Sequence, residues 1–151
     1  MDEWQDAQGR DELVETFASF PARFAAVAVV AADLPVPPGE WGPFEVGRHL
    51  VAVELVIWHV RFDEVATRDD PQWDWTEPGP SPALETASLD TILAMFAQVR
   101  GRTVATIRAF DDAGWDRSGT HATYGILDVA ALVRLAIDHD EEHLRGIARP
   151  A

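Results

Sequence analysis

The chain has 151 residues, enough for one domain with a single continuous core and too few for two independent ones. Hydrophobic residues make up 47% and charged residues 25%, the proportions of a folded globular protein, which exclude a disordered or membrane-embedded chain. Aspartate and glutamate number 26 against 12 lysines and arginines, and the resulting charge of -14 repels phosphate backbones and sets DNA and RNA aside as partners.

The chain opens Met1-Asp2-Glu3-Trp4-Gln5-Asp6, acidic and polar where a secretion signal would be basic and then apolar. No run approaches the roughly 20 apolar residues a membrane span needs, so a cytoplasmic protein with no membrane partner is expected. There is no cysteine. Disulfides are therefore excluded, and any metal site must be built from histidine and carboxylate.

Periodicity predicts a first helix over residues 11–32, with Leu13, Phe17, Phe20, Phe24, Val27 and Ala31 recurring at three- and four-residue steps. Pro21 falls inside it and predicts a kink or break near Phe20, because proline lacks the backbone donor and crowds the preceding turn. Leu34-Pro35-Val36-Pro37-Pro38-Gly39 ends this helix. Gly42-Pro43 then reads as a cap followed by proline in the first helical position, opening a second helix that runs to about Thr67. Its inner face carries Val46, His49, Val53, Val56, Ile57 and Val60, so a histidine sits inside an apolar stripe.

From Arg68 to about Thr86 the chain is dense in proline and tryptophan, which predicts an ordered crossover lying over one end of the bundle. Trp73 and Trp75 are placed to cover a pocket there. A third helix follows, capped by Ser88 with Asp90 in its first turn, and an inner face of Leu89, Ile92, Phe96, Val99, Thr103, Ile107 and Phe110. Residues 111–124 read as a loop with one helical turn around Trp115. The fourth helix starts near Asp128 and runs to about Ile147. Four amphipathic helices without an alternating strand pattern predict an all-α four-helix bundle, one domain with its core over residues 11–147.

His139-Asp140-Glu141-Glu142-His143 puts two imidazoles four residues apart, on one helix face at chelating separation. Leu132, Leu135 and Ala136 precede them on that side, so the rings continue an apolar surface inward. His49 does the same on the second helix. Three neutral imidazoles converging in a bundle core suit zinc, nickel, iron or manganese. Read alone, a histidine pair closing an acidic helix is more often a solvated face. His49 tilts the balance, because a buried unpaired imidazole costs free energy that a bound ion would offset. The string also matches the inverted zincin pattern His-x-x-Glu-His, but only eight residues remain downstream for a further ligand.

The frame Gly42-Pro43-Phe44-Glu45-Val46-Gly47-Arg48-His49-Leu50, followed by Glu54 and Arg61, then His121-x-x-x-Gly125, then Asp138-His139-Asp140-Glu141-Glu142-His143-Leu144, resembles the DinB/YfiT-like superfamily of metalloenzymes. The resemblance spans nearly the whole chain and implies an up-down-down-up bundle with the long crossover between its second and third helices. It implies a metal held by His49, His139 and His143, and the imidazole donors put zinc or nickel before iron or manganese as that divalent ion. It further implies transfer or isomerisation dependent on mycothiol, bacillithiol or a related thiol, acting on a small electrophile. A metal-dependent hydrolase and a noncatalytic small-molecule binder are the alternatives, and a homodimer is the expected assembly.

Around the ligands, Glu54, Arg61, Trp73, Trp75, His121, Asp138 and Glu142 are the candidates for lining the pocket or steadying a ligand ring. Structural pairing with another helix is the preferred reading of Glu54 and Arg61. Asp140 is weighed with Asp138 and Glu142 as a partner for a ligand histidine. His121 reads as a loop residue, with a lid over the metal as its functional alternative. His59 lies about 80° from His49 around a 3.6-residue helix and takes no role.

Overall fold

The computed structural model describes residues 3–148, so Met1 and Asp2 of the acidic N-terminal tract lie outside it. The chain is mostly helical. Helix α1 (Glu3–Ala31) packs against α4 (Leu89–Arg108) and α6 (Val129–Ile147). Helices α2 (Pro43–Val53) and α3 (His59–Thr67) are joined end to end by a π turn (Glu54–Trp58), and both pack against α4.

Helix α1 runs unbroken through Pro21, against the expected kink. Proline has no N–H to give to the carbonyl four residues back, which is that of Phe17. Arg100 of α4 supplies the donor instead, with Nη1 3.0 Å from the Phe17 oxygen. The buried stripe is Val14, Phe17, Phe20, Phe24, Ala28 and Ala31, shifted by one residue at two of the expected positions. Phe20 and Phe24 each meet Phe96 edge-on at 6.0 Å, a favoured aromatic geometry. This helix also corrects the reading of apolar runs, since Ala7–Ala31 is long and apolar enough to cross a membrane by length and composition. Its phenylalanines are core residues of the bundle.

The second helical unit spans the expected residues but not as one α-helix. Val46, Leu50, Glu54, Trp58 and Phe62 are all buried, at four-residue steps. Each such step drifts about 40° around an ideal helix. The wider π turn takes up part of that drift, and it leaves the predicted inner residues Val56 and Val60 exposed. Gly42 donates its N–H to the Glu45 carboxylate at 3.2 Å. A Cβ at Gly42 would approach Val36 to 2.7 Å, a physical reason for glycine at this cap.

A small sheet corrects the all-helical expectation. Strand β1 (Gln72–Trp73) lies in the crossover and pairs in parallel with β2 (Ser118–His121), which forms a hairpin with β3 (Gly125–Asp128). Gly125 turns that hairpin at φ 77°, where a side chain would be strained. The crossover is thereby pinned to the segment before α6. Trp73 is buried against Gly119, whose missing Cβ would fall 2.4 Å from the indole. It is a core residue and no pocket cover. The single helical turn around Trp115 is present as α5 (Asp112–Trp115), and Ser88 and Asp128 cap α4 and α6 by accepting from Thr91 and Ala131.

Arg100 is the centre of the fold. It is 1% exposed and donates from Nε to Glu54 at 2.8 Å and from Nη1 and Nη2 to Asp140 at 2.9 Å each. With the Phe17 carbonyl, it touches all four helical units of the bundle. Its guanidinium also lies 3.7 Å from the centre of the Phe17 ring. Replacing Arg100 by Met should cost about 3–5 kcal/mol in urea unfolding, because Glu54 and Asp140 would be left as buried, unpaired charges. The triple variant Arg100→Met, Glu54→Leu, Asp140→Leu should recover most of that loss.

Candidate metal centre

Two helices place the three histidines. His49 lies on the α2 face that packs into the bundle and is fully buried. His139 and His143 occupy successive turns of α6, half-buried, with their Nε2 atoms 3.2 Å apart. Ring centres are 5.5 Å apart for His49 and His139, 4.6 Å for His49 and His143, and 4.5 Å for His139 and His143. Glu77 of the crossover joins them, with its carboxylate 3.7 Å from His49 Nε2. One ligand atom from each of these four residues falls within 4.8 Å of every other.

The chemistry of the donor set fits a cation. His49 Nδ1 is 2.6 Å from the Pro78 carbonyl and must donate to it, since a carbonyl can only accept. Nε2 is then the unprotonated nitrogen, and it is buried without a hydrogen-bond partner. A lone pair so placed suits a metal ion, and no protein group among the described residues satisfies it. The 3.2 Å between the α6 imidazoles is close to the edge of a tetrahedron with nitrogen–zinc bonds of about 2.0–2.1 Å. All three rings are held neutral. Burial lowers His49; burial, then His143 and His49, takes His139 to about 3; burial, then His49, takes His143 to about 4.

A cavity of about 250 Å³ opens beside this cluster, sharing His139 and Glu77 with it. Arg61, Trp75, His121, Asp138 and Glu142 line it as the sequence reading allows. Trp73 does not, and Glu54 is taken up by Arg100. No acid of α6 orients a ligand ring: Asp140 is turned to Arg100, and His139 Nδ1 is buried without a partner. The orienting group for His49 is a backbone carbonyl of the crossover. Arg61 bonds the Asp74 carbonyl at 3.0 Å. His59 stays outside the cluster.

Glu77 is the residue that sequence reasoning missed. It sits in a proline-rich stretch with no periodicity, and its only signal was its place in the segment expected to cover the bundle end.

A helical bundle that brings three histidines and a glutamate to one point beside an open cavity belongs to a class of metal-capable bundle proteins. Residues 5–147 match the DinB superfamily, and the chain belongs to it. It is similar in structure to YfiT from Bacillus subtilis, described as a probable metal-dependent hydrolase with an unusual four-helix bundle topology. The TM-score is 0.72 at 22% identity, over 97% of this chain and 86% of that one. No curated protein matches the chain.

Three imidazoles kept neutral by the fold make the metal-free protein sensitive to acid. Their folded pKa values lie below the ordinary 6.5, so the unfolded chain binds more protons and stability falls as pH drops below about 6.5. Asp140 opposes this below pH 6, because burial raises its carboxyl to about 6, but it is one group against three. Urea unfolding of chelator-treated protein should show a loss on the order of 2 kcal/mol between pH 7.5 and 5.5, allowing for solvent screening of the partly exposed rings. An unchanged midpoint would contradict the buried, neutral assignment.

Proposed function

We propose that the chain is a metal-dependent enzyme in which His49, His139 and His143 hold a divalent ion, zinc or nickel first, beside a pocket for a small substrate. The observation that carries this reading is the buried, unpartnered Nε2 of His49 facing two further imidazoles. A bound ion would supply Lewis acidity, lowering the pKa of water or of a small thiol. Three histidine ligands leave room for such a molecule, as catalytic sites require.

Hydrolysis is the reading the site supports best. Glu77 is half-exposed on the crossover, close to the ligand nitrogens and on the cavity wall. From there its carboxylate can accept a proton from a water molecule entering the pocket, the role of a general base. The YfiT description points the same way. Thiol-dependent transfer uses the same ligands with a thiol in the place of water, and the absence of cysteine requires that the thiol come from outside. The up-down-down-up order and a dimeric assembly, which the resemblance implies, and a cytoplasmic location, which the polar N-terminal tract suggests, complete this proposal.

Untagged protein should contain about one metal ion per chain by elemental analysis. His49→Ala should lose most of it, whereas His59→Ala should keep it; retention in His49→Ala would remove the three-histidine site. Against a panel of small esters, amides and electrophiles, turnover should require metal and fall by about 10²-fold or more in Glu77→Gln with metal retained. Turnover that appears only on adding mycothiol or bacillithiol would replace hydrolysis with transfer.

A further inference from the structure

Among the described residues, the cavity beside the metal centre is lined by donors that are only partly matched by acceptors. Arg61 is 7% exposed, and among the described residues its guanidinium makes one hydrogen bond, to the Asp74 carbonyl. Glu64, three residues along α3, acts on it electrostatically but makes its ion pair with Arg68 at 3.7 Å. Trp58 and Trp73 flank the guanidinium at 5.7 and 5.6 Å. These ring faces offset part of its desolvation and hold it in place, yet they accept none of its remaining N–H groups.

His121 adds a second donor. Its Nδ1 accepts from the backbone N–H of Thr123 at 3.0 Å and of Tyr124 at 3.4 Å. The ring proton of the neutral imidazole therefore sits on Nε2. That atom is buried and has no partner, in a residue 1% exposed on the cavity wall. Trp58, also on the wall, carries a third buried N–H without an acceptor.

A largely buried guanidinium with one hydrogen bond, beside two orphaned donors, favours something acceptor-rich and negative in the space between them. We propose that Arg61 and His121 form a carboxylate-binding pole, so that the pocket takes a small monocarboxylic acid whose apolar body lies against Ile57, Trp75 and Leu135 and whose reacting end faces His139 and Glu77. This rests on the reading of the cavity as the substrate pocket of the metal site. The exposed carboxylates of Asp138 and Glu142, also on the wall, disfavour a second negative charge on the ligand. Planar, forked donation makes arginine the residue suited to a carboxylate, and aromatic clamping fixes that fork.

The test compares benzoate with uncharged benzamide in ligand-observed NMR titrations of chelator-treated and zinc-loaded protein. Metal-free wild type should bind benzoate about tenfold or more tightly than benzamide. Arg61→Met should abolish that preference, His121→Phe should reduce it severalfold, and Arg61→Lys should restore part of it. His59→Ala should leave it intact. Equal binding of the two probes by metal-free wild type overturns the proposal without reference to any variant's folding. So does a preference that appears only with zinc and survives Arg61→Met, since the carboxylate would then sit on the ion. Benzoate selectivity in a protein that fails to bind zinc would retain this pole and remove the metal reading.

Discussion

One guanidinium determines how the four helical units meet. Arg100 donates to Glu54 at the π turn, to both oxygens of Asp140 on α6 and to the Phe17 carbonyl on α1. A buried charge network is tolerable only when its members are satisfied together, so it dictates the relative placement of these segments more sharply than apolar packing does. Pro21 is part of the same arrangement. By withholding a donor from Phe17 it frees a carbonyl that α4 can use, which turns a local defect of α1 into a contact between helices. The π turn brings Glu54 inward to the same point.

The functional residues hang from this frame. Asp140 is held by Arg100, and its neighbour His139 is thereby set about 100° around the helix, toward His49 and the cavity. The crossover completes the centre from the other side, through the Pro78 carbonyl and the Glu77 carboxylate. The parallel pairing of Gln72–Trp73 with Thr120–His121 ties that crossover to the strand carrying His121. The metal cluster and the donors at the far end of the cavity are thus positioned by one connected piece of structure.

The helices and the histidine cluster were legible because both express a period. Phenylalanines recurring along α1, caps at Ser88 and Asp128, and histidines four residues apart on an apolar face all follow from helix geometry. The features that escaped have no period to express. Strands of four residues are too short for alternation to show, and Glu77 owes its position to a loop path. Arg100 sits between Val99 and Gly101 and reads as a surface charge until its three partners, far apart in the chain, are brought together. The four-residue spacing of Val46, Leu50, Glu54, Trp58 and Phe62 was visible, but it contains polar and aromatic members that do not announce a buried face.

Glu77 and the Pro78 carbonyl also bear on how the molecule is held shut. A chain without cysteine has no covalent cross-link, and the longest connection between its α-helices, residues 68–88, lines its own cavity. Coordination of one ion by α2 and α6 would fasten two distant stretches of chain at a single knot, with the crossover held to it through the Pro78 carbonyl on His49, the role disulfides fill in secreted domains. Such a fastening is reversible. It would grip in proportion to free metal, so that the supply of the ion would govern both the chemistry of the pocket and how firmly the crossover beside it is held.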